Sequence, residues 1–236
     1  MSSDATDPRQ YNLPRTQWSL RGAEDAPSRK DLRKALDAFV SADMLRGKDV
    51  IDMGSGTGHL FNWLQTRGTA SVTGFDPSEV NVRISREKYP WAASYVATLQ
   101  EFAKTSEEKF DTAFAVMVLE HIENLDDAFQ QVKSLLRDNG MLILVIGDNE
   151  NELLSEKGEG RHIVRADIVR HLPDGAIEVV VERRLREGVS SVIYDILRPL
   201  ALIRDSATVA GFTLVSEQPV LDQSPAPMYH MLSFKK

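Results

Sequence analysis

Between Lys48 and Ile146 the chain alternates short apolar runs with amphipathic helical stretches, and this alternation limits its possible folds more than any other feature. Apolar strands of this kind are typical of parallel sheets that are covered by helices on both faces. We therefore predict an α/β fold with a doubly wound sheet, whose ligand lies at the carboxyl ends of the strands. The predicted strands are Val50–Met53, Ser71–Asp76, Ala93–Val96, Phe110–Leu119 and Met141–Ile146.

Composition narrows the class of protein further. The 236 residues are 42% hydrophobic and 27% charged, which is typical of a folded globular protein and disfavours disorder and coiled coil. The net charge of −7 disfavours nucleic acid and anionic membranes as partners. Because there is no cysteine, disulfides, thiolate metal sites and cysteine nucleophiles are excluded.

No targeting or membrane segment is recognisable. Residues 1–7 lack a basic and an apolar region, and the longest apolar run is far shorter than the roughly 20 residues of a membrane helix. We predict a cytoplasmic protein with a single domain. Its predicted parts are a lead-in with a helix (1–46), a cofactor-binding core (47–147), a variable segment with a hairpin that covers the substrate (148–198), and a helix with an edge hairpin (199–236).

Several elements are predicted outside the alternating strands. Residues 28–31 form a capping box that starts a helix, and Asn139 with Gly140 is expected to end the helix that follows Asn124. The remaining predictions are a short helix over Arg165–Leu172, a β-hairpin of Ile177–Leu185 and Val189–Leu197, a helix over Leu200–Ala210, and strands over Thr213–Val220 and Met228–Phe234.

The strongest local signal is a glycine turn after the first strand, formed by Gly54, Gly56 and Gly58. Glycines let the backbone turn sharply and approach a ligand, and the following helix presents free N–H groups. The dinucleotide fingerprint would need its last glycine at His59, so a pyrophosphate site is disfavoured. A simple strand-to-helix turn is the structural alternative.

Asp76 supports the interpretation as a binding site. It ends the second predicted strand 22 positions after Gly54, where a carboxylate can accept hydrogen bonds from ribose hydroxyls. It is also suited to cap the helix that begins near Ser78, and the two roles are compatible.

Four motifs resemble those of the class I S-adenosylmethionine-dependent methyltransferases of the small-molecule type. They follow one another in the order of that family, and the similarity reaches into the two last strands. The motifs are Val50–Gly58, Phe75–Ser78, Phe110–His121 and Leu135–Leu142.

The resemblance implies a Rossmann-like sheet of seven strands, mostly parallel with one antiparallel strand, and S-adenosylmethionine as the cofactor. Asp52 would orient the amino group of the methionine moiety, unless turn N–H groups satisfy its carboxylate. Asp76 would hold the ribose. The full set of implied cofactor-binding residues is Asp52, Met53, Gly54, Ser55, Gly56, Asp76, Pro77, Thr98, Leu99, Val116 and Met117.

Two positions depart from the family pattern. Thr98 stands where relatives carry an acidic residue that binds the adenine amine, so the Thr98 hydroxyl and the Leu99 backbone are expected to hold the base. Met117 stands where metal-binding relatives carry a glutamate, so no metal site is predicted.

His121 is the candidate catalytic residue, because a methyl acceptor that carries a proton needs a base and imidazole titrates near neutral pH. Alternatively, Glu120 and His121 cap the turn before Asn124. The other histidines are expected to be structural, although His162 could reach the acceptor if its segment forms a lid. They are His59, His162, His171 and His230.

The predicted reaction is methyl transfer to an oxygen, nitrogen or sulfur atom of a small molecule, for example a secondary metabolite, by in-line displacement. A nucleic-acid or protein methyltransferase on the same fold, a non-catalytic module that binds S-adenosylmethionine, and a nicotinamide oxidoreductase are the alternatives. The sequence is compatible with a monomer or a homodimer.

Overall fold

The computed structural model describes residues 27–147, 163–184, 190–221 and 227–236. Its strands are β1 (Asp49–Met53), β2 (Ser71–Asp76), β3 (Ala93–Val96), β4 (Phe110–Val116), β5 (Leu136–Gly147), β6 (Ile163–His171), β7 (Ile177–Arg184), β8 (Ser190–Leu197), β9 (Thr213–Leu221) and β10 (Pro227–Lys235). Its α-helices are α1 (Pro27–Phe39), α2 (Phe61–Thr66), α3 (Glu79–Lys88), α4 (Leu99–Thr105), α5 (Leu125–Leu135) and α6 (Leu200–Val209). Two short 3₁₀ turns cover Ala42–Met44 and Leu119–His121.

Seven strands form the main sheet in the order β3-β2-β1-β4-β5-β10-β9. Strands β1 to β5 pair in parallel, whereas β10 runs antiparallel to both β5 and β9. The predicted α/β fold with one antiparallel strand is therefore confirmed. Because the chain leaves β1 toward β2 and β3 and later returns to β4, the carboxyl ends of β1 and β4 flank the crevice where such sheets bind ligands.

Helices cover both faces of this sheet. On one face, buried side chains of α4, α5 and α6 form a continuous apolar core with the sheet, in which the Phe75 and Phe102 rings stack with centroids 4.7 Å apart. On the other face, Leu36 of α1 and Phe61 of α2 belong to a second core. Burial on both faces explains why the central strands are apolar almost throughout.

Strands β6, β7 and β8 form a separate antiparallel sheet, which we call the cap sheet. The predicted hairpin is confirmed as β7 and β8. The helix predicted over Arg165–Leu172 is wrong, because most of this segment belongs to β6. Irregularities at Ile163/Arg165 and Ile168/Arg170 shift the pairing register between β6 and β7.

Two predicted boundaries are also wrong. Strand β4 ends at Val116 rather than Leu119, because Met117 adopts a left-handed conformation with φ of 55°. Helix α5 ends at Leu135, before Asn139 and Gly140, which lie within β5. A side chain on Gly140 would place Cβ 2.9 Å from the Arg137 carbonyl oxygen, so the glycine serves a close backbone approach.

The predictions for residues 1–26 and for Asp148 to His162 lie outside the described residues. Among the residues that the structure describes, no helix is long and apolar enough to cross a membrane.

Candidate functional site

A cavity of about 490 Å³ lies at the carboxyl ends of the parallel strands, between the glycine turn and α5. Its volume falls within the range of roughly 300–1,000 Å³ that is usual for small-molecule sites. Most of the residues predicted to bind the cofactor line it, and so does the predicted base. These are Met53, Gly54, Gly56, Asp76, Pro77, Thr98, Leu99, Val116, Met117 and His121.

Asp52 and Ser55 are buried beside the cavity but do not line it. The Ser55 side chain points to β2, since a Cβ built on Gly74 would lie 2.8 Å from Ser55 Oγ. Ser55 Oγ has no hydrogen-bond partner among the described residues. A contact of either side chain with a cofactor stays a prediction.

The glycine turn needs its glycines for both conformation and space. Gly54 and Gly56 have φ values of 63° and 54°, which side chains disfavour. A Cβ on Gly54 would lie 2.7 Å from Val118 Cγ2, so the turn after β4 packs directly over this glycine. The bare backbone therefore forms part of the cavity wall.

We expect Gly54→Ala to lower both stability and ligand affinity. Left-handed backbone costs a side chain about 1–2 kcal/mol, and the new Cβ also collides with Val118. Gly47→Ala is the matched control, because Gly47 has a φ of 68° and no atom lies within 4 Å of the position that a Cβ would take there. Chemical denaturation should show the larger loss for Gly54→Ala, and calorimetry should show weakened ligand binding in that variant alone.

Adding Val118→Ala removes the collision and should recover part of the stability lost in Gly54→Ala. Equal losses of stability in the Gly54→Ala and Gly47→Ala variants would show that the packing of Val118 on the turn is unimportant.

The Asp76 carboxylate ties the glycine turn to the start of α3. Oδ2 accepts a hydrogen bond from Gly56 N at 2.9 Å. Oδ1 accepts from Ser78 N at 2.9 Å and from Asn81 Nδ2 at 3.2 Å. Ser78 rather than Asp76 is the N-cap residue of α3, since its side chain accepts from Asn81 N. Asp76 thus supports the start of α3 indirectly, and it also lines the cavity.

Two buried carboxyl groups lie near each other at this site. The pKa of Asp52 is raised to about 8, mainly because the group is buried and secondly because the charge of Asp76 is nearby. Burial also raises the pKa of Asp76, against the lowering effect of the hydrogen bonds from Ser78, Asn81 and Gly56. A cation bound between or beside the carboxyl groups of Asp52 and Asp76 would therefore be favoured.

Thr98 and Leu99 form the start of α4 at another wall of the cavity. The Thr98 hydroxyl accepts from Glu101 N at 3.2 Å, and the Glu101 carboxylate accepts from Thr98 N at 2.8 Å, which is a complete capping box. The hydroxyl proton of Thr98 is not used in this box, so it is available for a ligand.

His121 lies in the 3₁₀ turn after β4, with 19% of its side chain exposed. Its Nδ1 lies 3.3 Å from Asp195 Oδ1 of the cap sheet. Glu120 accepts a hydrogen bond from Gly147 N at 3.0 Å, so the neighbouring carboxylate has a structural role. The Glu120 carboxylate thus ties this turn to the end of β5, and His121 faces the cavity, while a capping role of either residue for the turn before Asn124 stays a prediction.

Sequence reasoning missed several residues of the site. Asn81 binds Asp76 and His59 lines the cavity, whereas His59 was expected to be structural. Asn81 could have been found from its position in the first turn of α3, next to Asp76. Asp195 and Arg198 lie in a distant segment, and their only sequence signal is a charge within an apolar strand or at its end.

Comparisons with known proteins identify the family of this chain. A family model described as a methyltransferase domain matches residues 25–184. A tRNA U34 carboxymethyltransferase from Idiomarina loihiensis is 30% identical over 160 residues, which are 64% of this chain and 49% of that protein. A ubiquinone biosynthesis O-methyltransferase from Bradyrhizobium diazoefficiens is 31% identical over 107 residues, 44% of this chain and 42% of that protein. The chain thus spans about half the length, or less, of these curated relatives.

A solved structure, a DhpI-SAM-HEP complex, is similar with a TM-score of 0.68 and 21% identity, and the match covers 100% of both chains. This likeness concerns the fold. The family model covers more than half of the chain and includes the glycine turn, Asp76 and His121. The predicted family is therefore confirmed: the chain belongs to the methyltransferase-domain family and has the fold of the class I enzymes.

Proposed function

We propose that this chain transfers the methyl group of S-adenosylmethionine to an oxygen, nitrogen or sulfur atom of a small molecule. The observation that carries the proposal is the cavity itself, which brings the glycine turn, Asp76 and His121 together at the strand ends. A methyltransferase needs little more from its protein than a binding site, alignment of the reactants and a dry cavity.

The residues present fit S-adenosylmethionine. Gly54 leaves bare backbone at the cavity wall, where the cofactor's methionine part would lie. A carboxylate can accept about four hydrogen bonds, and Asp76 accepts three from the residues that the structure describes, which leaves room for a ribose hydroxyl. Thr98 and Leu99 would hold the adenine. When bound, the cofactor supplies a methyl group activated by a positively charged sulfur.

Asp52 and Asp76 would supply the electrostatic part of cofactor binding. S-adenosylmethionine carries a cationic amino group and a cationic sulfur, and both would gain from an ionised carboxylate in a buried position. Because burial raises the pKa of Asp52 to about 8, a nearby ammonium group would favour release of its proton.

His121 would act as the base. His121 would accept the acceptor's proton on Nε2 while the acceptor atom bonds to the methyl carbon, and the electron pair of the broken carbon–sulfur bond would remain on the sulfur. His121 lines the cavity, and its position after β4 places it at the strand ends with the rest of the site. Such a base contributes about 10²–10⁴-fold to a rate.

Charge supports a small acceptor over a nucleic acid. No lysine or arginine is among the described residues that line the cavity, and the whole chain carries a net charge of −7. Phosphate backbones are bound by basic side chains, so this surface is unsuited to them. A ubiquinone biosynthesis O-methyltransferase among the relatives suggests a phenolic acceptor, whereas the tRNA U34 enzyme supplies the competing candidate.

The acceptor class is tested by methyl transfer from radiolabelled S-adenosylmethionine. We expect label in a panel of phenols, carboxylic acids and amines of low molecular mass, and none above background in bulk tRNA. Label in tRNA alone would overturn the small-molecule proposal. Cofactor binding without transfer to any acceptor would favour a binding module, and stabilisation by NAD instead would favour an oxidoreductase.

A further inference from the structure

We infer that Asp195 is a positioning residue for His121: the pair forms a histidine–carboxylate dyad in which the cap sheet supplies the carboxylate. This inference rests on the proposed function, in which His121 is the base. Asp195 lies on β8, and its side chain is only 7% exposed. A buried carboxylate is costly unless it has a partner.

The geometry pairs one particular ring nitrogen of His121 with Asp195. Nδ1 lies 3.3 Å from Asp195 Oδ1, so the carboxylate favours the tautomer that carries its proton on Nδ1. In that tautomer the lone pair that would accept a proton is on the other nitrogen, Nε2. The separation is long for a hydrogen bond, but such contacts commonly shorten when substrate binds.

The turn that carries His121 is held in place by Arg198, which follows the strand that carries Asp195. Arg198, just after β8, is buried and donates hydrogen bonds to the carbonyl oxygens of Leu119 and Ile122 at 2.8 and 2.5 Å and of Glu123 at 2.8 Å. These bonds fix the backbone on both sides of the imidazole. The same stretch of the cap sheet therefore positions both the turn and the ring.

Other charged groups also face the imidazole. Asp76, at the end of β2, interacts electrostatically with His121 across the cavity. Glu120 is the neighbour in the turn, but one of its oxygens is directed to Gly147 N. A His121 ring that had taken the acceptor's proton would therefore lie between carboxylates from two different elements, β8 and β2.

The test compares His121→Ala, Asp195→Ala and the double variant, with Asp174→Asn as the control. Asp174 is a carboxylate of the cap region that lies 4.0 Å from Arg198 Nε, and it has no contact with the His121 ring in the described structure. We expect Asp195→Ala to lower kcat about 10–100-fold, with KM and the cofactor Kd within about twofold of the wild type. The double variant should be no slower than His121→Ala, because Asp195 acts through His121.

A second readout does not depend on turnover. Nitrogen-15 spectra of labelled histidine distinguish the two imidazole tautomers, and His121→Ala identifies the signal among the five histidines. The wild type and Asp174→Asn should show His121 with its proton on Nδ1, and Asp195→Ala should shift it toward the other tautomer. An unchanged tautomer in Asp195→Ala, or an additive loss in the double variant, would overturn the dyad. If the wild type fails to transfer methyl groups, the proposed function fails, while the tautomer result still decides the dyad.

Discussion

Asp76→Ala should abolish the stabilisation of this protein by S-adenosylmethionine. A ligand at about a hundred times its Kd adds roughly 2.7 kcal/mol of stability, which corresponds to roughly 5–10 °C in Tm for a chain of this size. We expect that shift for the wild type with the cofactor and with its demethylated product. The variant should show no measurable shift at the same concentrations in a thermal-unfolding titration.

The large effect is expected because one carboxylate has two tasks. It offers the cofactor an acceptor, and it accepts hydrogen bonds from Gly56 N, Ser78 N and Asn81 Nδ2. Without it, the glycine turn loses its connection to the start of α3, and the backbone N–H groups of Gly56 and Ser78 lose their acceptor. The variant therefore loses affinity for the cofactor, and the wall of its cavity is disturbed as well.

Asp111→Ala is the matched control at the opposite end of the strands. Asp111 also accepts from a backbone N–H, that of Asp49 at 2.9 Å, and from the Arg137 guanidinium at 2.7 Å. This variant should lose stability but keep its full response to the cofactor. Asp76→Asn, which preserves the size of the side chain, guards against a misfolded alanine variant. A normal Tm shift in a cooperatively folded Asp76→Asn and Asp76→Ala would refute the assignment of Asp76.

The parts of the site that the sequence predicts are those held by local chemistry. Gly54 and Gly56 form a turn whose backbone angles only glycine adopts readily, and Asp76 is the last residue of a short strand that ends at the same edge of the sheet. Each of these signals lies within a few residues of the group it positions. The parallel sheet with helices on both faces also follows from the alternation of strands and helices, whereas the order of its strands does not.

The parts that the sequence does not predict depend on contacts between distant segments. Asp195 meets His121 across 74 positions of the chain, and no local spacing relates the two residues. The left-handed Met117 is set by the turn after β4, where its N–H donates to the Val145 carbonyl oxygen at 2.9 Å. The strand β6 is formed by pairing with β7, which prevails over its helix-like pattern.

The stability of the ligand-free protein should fall as pH rises, and Asp52 should account for much of the fall. Burial and the nearby Asp76 raise the pKa of Asp52 from 3.8 to about 8 in the folded protein. Between these values the folded protein keeps a proton that the unfolded chain has lost. The contribution of this proton to the free energy of unfolding is therefore fully present below pH 3.8 and is lost as pH rises to about 8. The free energy of unfolding falls by about 1.4 kcal/mol per pH unit at most.

Asp52→Asn removes this titration, so its unfolding free energy should depend less steeply on pH between about 6 and 8, by about 1 kcal/mol per unit. Urea denaturation at three pH values measures the two slopes. Asp138→Asn is the control, because the Asp138 side chain is 96% exposed and the same substitution there should leave the slope unchanged. Equal slopes in the wild type and Asp52→Asn would contradict the raised pKa.

A saturating cationic cofactor should also make the stability of the wild type depend less steeply on pH. The reason is that an ammonium group beside Asp52 favours the ionised carboxylate, which burial alone disfavours.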